Sequence, residues 1–221
     1  MNSLTQPHLA QLLDRLFSEA DATSPADSPA LADVTPEARQ QLMRSKTEYL
    51  AYYGRMKDFA LPVSRDTGLL LYMLARGGRA RSIVEFGTSF GISTLHLAAA
   101  LRDNGGGQLI TTEFEPSKVL RARANLEAGG LSDLVEIREG DALLTLASDL
   151  PEHIDILLLD GAKALYPEIL ALLEPRLRSG AFVLADNADY SPDYLAYVRE
   201  PANGYLNLPF DGDVELSQRV G

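Results

Sequence analysis

The stretch Ser82-Ile-Val-Glu-Phe86, followed by Gly87-Thr-Ser-Phe-Gly91-Ile-Ser93, decides the fold. Its first five residues are rich in β-branched and aromatic side chains and read as a short strand that stops at a glycine. Helix-like sequence follows over Ser93–Arg102, and Gly105-Gly106-Gly107 reads as the turn that ends it. In an open α/β sheet the turn after the first strand faces the ligand crevice. Gly87 lets the backbone turn sharply there and approach a ligand, and the helix after it offers N–H groups to a negative group. The spacing is G-x-x-x-G rather than the G-x-G-x-x-G of dinucleotide sites, which disfavours a pyrophosphate and favours a smaller, carboxylate-bearing ligand. Taken alone, the same residues read equally well as a glycine-bearing loop without a ligand.

The pattern repeats downstream. Leu109–Glu113, Leu134–Arg138, Ile154–Asp160 and Ala181–Asp186 read as strands, the fourth strand of the set (Ile154–Asp160) almost continuously apolar, as a central parallel strand is. Between them, Ser117–Ala128 and Tyr166–Leu173 read as helices, and Pro175 breaks the second. Strands alternating with helices predict a parallel sheet covered on both faces. Tyr205–Leu208 and Val214–Val220, separated by Asp211-Gly212-Asp213, predict a hairpin that adds antiparallel edge strands. Upstream, Leu9, Leu12, Leu13, Leu16 and Phe17 mark one face of an amphipathic helix. Ser24–Asp33 reads as a linker; Thr35 caps a helix that runs from Pro36 to about Lys57, and Arg65–Ala75 forms another, closed by Gly77-Gly78.

The chain has 221 residues, 46% hydrophobic and 23% charged, enough for a substantial buried core. Its 31 acids against 20 Lys plus Arg give a net charge of −11, which argues against nucleic acid and anionic membrane as partners. There is no cysteine, so disulfides, thiolate metal sites and a thiol nucleophile are excluded. No run is apolar enough to span a bilayer, and the first residues lack a basic n-region, so the expected location is cytoplasmic. His8, His96 and His153 have no partner pattern, and no Gly-x-Ser-x-Gly elbow supports hydrolase chemistry.

Acids recur where the strands end. Glu113 closes the second strand, 26 residues after Gly87, and can accept hydrogen bonds from ribose hydroxyls, much as the acid about 20 residues on does in dinucleotide sites. Phe114 beside it can stack on a purine. Asp141, in Gly140-Asp141-Ala142 after the third strand, can accept an adenine amino hydrogen while also capping the short helix of Ala142–Ala147. Asp160 ends the fourth strand, and Asp186 and Asn187 end the fifth. Neighbouring parallel strands set these groups side by side at the carboxyl edge. Two carboxylates and an amide oxygen, with no sulfur or imidazole, suit Mg²⁺ or a similar hard cation such as Mn²⁺ or Ca²⁺.

Glu85-x-Gly87-x-x-x-Gly91, an acid closing the next strand and Gly-Asp-Ala after the third together resemble the S-adenosylmethionine-dependent methyltransferases of the Rossmann-like class, and within them the catechol O-methyltransferase-like and caffeoyl-CoA-like O-methyltransferases. The likeness covers roughly Val63 to Arg199. It implies a Rossmann-like α/β fold over residues 61–221, with residues 1–60 a helical extension serving as a cap or dimer contact and the protein a homodimer. It implies that Glu85, Gly87 and Ser93 line the amino-acid end of S-adenosyl-L-methionine, with Val63 by its methionine portion. Glu113 would hold the ribose, and Phe114, Asp141 and Ala142 would surround adenine. Asp160-Gly-Ala-Lys163 resembles the family's Asp-x-x-Lys, and Ala185-Asp186-Asn187 its Ala-Asp-Asn. The metal ligands are then Asp160, Asp186 and Asn187, and Lys163 is the general base. The implied reaction is methyl transfer to a hydroxyl of a small molecule, a catechol or related phenolic.

The chain departs from the pattern in two places. It has no tryptophan to wall the acceptor pocket, and Ala162 occupies one such position. The nearest candidate for the family's C-terminal glutamate is Glu215. Arg65, Tyr52, Tyr53 and Tyr190 flank the acceptor side in sequence, whereas Tyr166 reads as a packing residue. A non-catechol acceptor, a cofactor-binding protein without turnover and a nicotinamide oxidoreductase are the alternatives. The G-x-x-x-G spacing opposes the last of these, and the Asp160, Lys163, Asp186 and Asn187 set opposes a site without turnover.

Overall fold

The structure is a computed structural model and describes residues 2–23 and 29–221. Residues 24–28 of the expected linker lie outside the described residues, while Pro29–Leu31 form a 3₁₀ turn. Among the described residues, seven strands form one sheet: β1 (Ser82–Phe86), β2 (Gln108–Glu113), β3 (Val135–Glu139), β4 (Ile154–Leu159), β5 (Leu177–Ala185), β6 (Tyr205–Phe210) and β7 (Val214–Arg219). Their spatial order is β3-β2-β1-β4-β5-β7-β6. The first five are parallel; β7 runs antiparallel to β5, and β6 antiparallel to β7. This is the expected doubly covered parallel sheet with its C-terminal edge hairpin.

Helices α1 (Pro7–Asp21), α2 (Pro36–Met43), α3 (Tyr49–Gly54), α4 (Arg65–Gly77), α5 (Ile92–Asp103), α6 (Pro116–Ala128), α7 (Ala142–Thr145), α8 (Tyr166–Leu173) and α9 (Pro192–Arg199) complete the chain. Strand residues alternate between two cores, as a pleat requires. Ile83, Ile156, Leu158 and Leu184 pack with α1, α4, α5 and α6, whereas Val84, Leu157, Leu159 and Val183 pack with α8 and α9. Among the described residues no helix is long and apolar enough to cross a membrane.

Two local expectations are corrected. The helix expected over Pro36–Lys57 is broken into α2 and α3. The Ser45 hydroxyl accepts hydrogen bonds from the Thr47 and Glu48 amides, a local turn that competes with the helix ladder. Helix α9 is additional: Pro192 sits in its first turn and Tyr194 and Val198, four apart, are buried.

The apolar face of α1 is part of the main core. Leu9, Leu12, Leu13, Leu16 and Phe17 are all buried, and Leu9 and Leu16 lie among the largest fully buried side chains. Leu16→Ala therefore costs about 2–5 kcal/mol in urea unfolding, as a core site does. A loss within about 0.5 kcal/mol, typical of surface substitutions, contradicts this packing.

Candidate active site

Register brings the site together. Phe86 and Ala185 both pair with Leu159, so β1, β4 and β5 end level. The ladder continues one step beyond: the Asp160 amide donates to the Phe86 carbonyl at 2.8 Å, and the Asp186 amide to the Leu159 carbonyl at 2.9 Å. Gly87 follows Phe86 at a φ of 103°, and a Cβ there would lie 2.6 Å from the Asp160 carbonyl oxygen. Only glycine allows this approach.

Two clefts open at this edge. The first, about 670 Å³, is walled by Gly87 and Ser89 from the glycine turn, Glu113 and Phe114 after β2, Gly140, Asp141 and Ala142 after β3, and Asp160 and Ala162 after β4. Tyr49, Tyr53 and Leu61 close it from outside the sheet, and Lys118 on α6 also reaches it. Its lining, apolar side chains with a few convergent polar groups, suits a small-molecule ligand. The second, about 850 Å³, has a floor of Asp160, Lys163, Asp186, Asn187 and Asp213 and a wall of Met43, Tyr52, Tyr53, Met56, Leu61 and Pro62. The two clefts share Asp160, Tyr53 and Leu61.

In the first cleft, the Glu113 carboxylate accepts from the Ser89 amide at 2.9 Å and the Glu115 amide at 3.0 Å. Each oxygen keeps a further lone pair for a ligand hydroxyl. Burial pushes Glu113 up and Lys118 down from their ordinary values, against the attraction between them. Asp141 caps α7 by accepting from the Leu143 amide at 3.0 Å, and its other oxygen accepts from the Tyr49 hydroxyl at 3.1 Å. Capping and cleft lining thus coexist in one side chain. With Glu113, Glu115, Asp141 and Asp160 against Lys118, the cleft carries excess negative charge suited to a cationic ligand.

In the second cleft, the Lys163 ammonium lies 2.9 Å from Asp160 and 3.8 Å from Asp186. Burial alone would lower Lys163, but Asp160, Tyr166, Asp186 and Tyr53 outweigh it and hold the ammonium well above its usual range. Burial and then the Asp160 charge push Asp186 up to about 8. Two neighbouring buried carboxylates thus share one lysine. Ionising both would leave one negative charge beyond the lysine, which a hard divalent cation would offset. Among the described residues no three carboxylate or imidazole groups converge on one point, so a third oxygen donor would come from another type of group. Asn187 lines the same cleft, and its Nδ2 donates to Asp213 at 2.8 Å, which leaves Oδ1 as the free end of the amide.

Several expected residues fall outside both clefts. Glu85 is fully buried and accepts from the Ser93 and Thr94 hydroxyls at 2.6 Å each. Glu85 and Ser93 therefore brace the glycine turn from within the core. Val63 is likewise buried, in the core with α4 and α5. Glu215 does not reach the acceptor side, because both its oxygens are taken by Arg199 at 2.8 and 2.7 Å. Arg65 lies over Phe17 and pairs with Asp14. Tyr190 does not line the cleft; burial, and to a lesser degree Tyr190, raise the Tyr52 hydroxyl above its ordinary value. Tyr166 packs edge-on to Phe86 and Tyr194 and donates to the Asp186 carbonyl at 2.8 Å. Lys118, Tyr49, Leu61 and Asp213 escaped the sequence reading; Asp213 was visible there only as part of a hairpin turn.

Comparisons with known proteins agree with this geometry. A family model described as a methyltransferase domain matches residues 84–188. The catechol O-methyltransferase of Niastella koreensis is 35% identical over 131 residues, 58% of each chain. Catechol O-methyltransferase B of Danio rerio is 31% identical over 176 residues, 76% of this chain and 65% of that one. Among solved structures, the O-methyltransferase TomG of Streptomyces achromogenes, in complex with S-adenosylmethionine, superposes with a TM-score of 0.63 at 26% identity, covering 83% of this chain and 94% of that one. Fold, strand-end site and sequence likeness define a Rossmann-like methyltransferase. Within that class the chain is similar to the O-methyltransferases of the catechol O-methyltransferase-like type. Its matched stretches span about three fifths of the length of those curated relatives.

Gly87→Ala forces a side chain into the left-handed region and against Asp160. Thermal melting of this variant falls by about 6–12 °C, equivalent to about 3 kcal/mol. An unchanged melting temperature contradicts the close approach of the two loops.

Proposed function

We propose that this protein transfers a methyl group from S-adenosylmethionine to a hydroxyl of a small molecule, a catechol or related phenolic, with Mg²⁺ assisting. The observation that carries this reading is the wall common to both clefts. A cofactor in the first cleft and an acceptor in the second meet across Asp160, Tyr53 and Leu61.

Glu113 and Asp141 would hold ribose and adenine, with Phe114 and Ala142 against the base; all four line the first cleft. Asp160, Asp186 and Asn187 would hold the cation. When bound, the sulfonium provides an activated methyl group and the cation provides Lewis acidity that lowers the pKa of the acceptor hydroxyl. Lys163, three residues beyond Asp160 and within reach of both carboxylates, takes the acceptor proton once those carboxylates are engaged elsewhere. The acceptor oxygen forms the new bond to carbon, the carbon–sulfur bond breaks, and its electron pair returns to sulfur. The clefts fix the line of approach, which removes much of the entropic barrier. Met43, Tyr52, Met56 and Pro62 form an apolar wall on which an aromatic ring can lie, in a chain that has no tryptophan for that purpose.

Isothermal titration gives binding of S-adenosylhomocysteine and none of NAD; the absence of S-adenosylhomocysteine binding refutes the reading. With a catechol panel as acceptors, EDTA and Asp160→Ala abolish turnover. Lys163→Met lowers kcat about 10²–10⁴-fold while leaving S-adenosylhomocysteine affinity in place. Activity indifferent to EDTA and to Asp160→Ala removes the metal from the mechanism.

The Asp160–Asp186 pair gives a separate test on stability. Asp186→Asn removes a carboxylate whose ionisation the site opposes, so at pH 9, above its pKa of about 8, the metal-free variant melts about 3–5 °C above wild type, and the gap closes as pH falls below 8. Magnesium raises the melting temperature of wild type and not of the variant. A variant that melts lower without metal, or still responds to Mg²⁺, contradicts the assignment of this pair.

A further inference from the structure

Of the three residues common to both clefts, Leu61 is apolar and Asp160 is paired with Lys163. The third, Tyr53 on α3, carries a buried hydroxyl with no hydrogen-bond partner among the described residues. Its ring is fixed edge-on against Tyr52, with centroids 5.2 Å apart, and packs on the core beneath. The Lys163 ammonium and the Lys163 backbone N–H both lie near this hydroxyl, but the N–H does not reach hydrogen-bond geometry. Burial outweighs the pull of the Lys163 charge and keeps this phenol protonated, so it is a donor.

Buried hydroxyls in folded proteins are almost always paired, and an unpaired one destabilises the fold. Phenylalanine would fill the same space without that cost. The hydroxyl therefore points to a ligand atom at the junction. A sulfonium is cationic and offers no suitable acceptor to a donor, whereas a deprotonated acceptor oxygen offers several lone pairs. We propose that Tyr53 is an acceptor-positioning residue: its hydroxyl donates to the acceptor oxygen and leaves another lone pair aimed into the cofactor cleft. This rests on the methyltransferase reading above and adds a residue to it.

The test is Tyr53→Phe, which removes one oxygen and keeps the ring. The probe is 4-nitrocatechol added to the protein saturated with S-adenosylhomocysteine and Mg²⁺, followed by its visible absorbance. The variant binds S-adenosylhomocysteine within about twofold of wild type and melts at the same temperature or higher, because the lost hydroxyl had no partner. It binds 4-nitrocatechol about 3- to 10-fold more weakly, and the bound probe ionises at higher pH. A purely structural tyrosine would lower the melting temperature and leave the probe's ionisation unmoved. Equal binding and ionisation of 4-nitrocatechol in variant and wild type overturn the role of Tyr53 and leave the methyltransferase reading standing. Failure of wild type to bind the probe at all, despite binding S-adenosylhomocysteine, overturns the acceptor assignment and this inference together.

Discussion

The contact between Gly87 and the backbone of Asp160 is the constraint on which the rest of the site depends. Two loops from neighbouring parallel strands touch main chain to main chain, with no side chain between them. The reverse side is equally tight: a Cβ on Gly161 would lie 2.5 Å from the Phe86 ring. Because nothing separates these loops, the cleft beside the glycine turn and the cleft beyond β4 share Asp160 as a common wall. A bulkier turn would push the clefts apart and lengthen the path between cofactor and acceptor. In-line transfer tolerates little such displacement.

The same edge concentrates charge that the fold does not neutralise. Asp160 and Asp186 lie on adjacent strand ends and share Lys163, while Asp213 arrives from the C-terminal hairpin to orient Asn187. A site of this kind is less stable empty than a neutral packed one would be. Stability lost there is offset by the two apolar cores on the sheet faces, and α1 adds its whole apolar face to one of them. In the proposed mechanism, that unneutralised charge is what draws a cation and frees Lys163 to accept a proton.

Most of the sheet was legible in the sequence because its signals are local. Ser82–Phe86 and Tyr166–Leu173 appear with the expected bounds, since apolar runs end there at a glycine or begin at a proline-marked turn. Strand-end residues such as Glu113, Asp141, Asp160 and Asp186 were legible too, because parallel register alone carries them to one edge. What remained hidden depends on long-range packing. The break at Ser45 arises from a hydroxyl competing with the helix ladder, which periodicity does not reveal. Glu215, the nearest candidate for the family's C-terminal glutamate, is held by Arg199, sixteen residues away, a pairing no local pattern shows. Glu85 and Ser93 follow the family pattern, yet in this chain they bond to each other inside the core. Tyr52 and Tyr53 were expected beside the acceptor, and α3 brings both to the second cleft, whereas Arg65 and Tyr190 from the same expectation stay outside it.

A crystal structure of the protein with S-adenosylhomocysteine and Mn²⁺, with the metal located by its anomalous signal, tests the shared wall most directly. The account predicts the sulfur end of the ligand at the Asp160, Tyr53 and Leu61 wall and one manganese peak held by Asp160, Asp186 and Asn187 on its other side. A ligand lying outside the first cleft, or manganese bound away from these three residues, contradicts it.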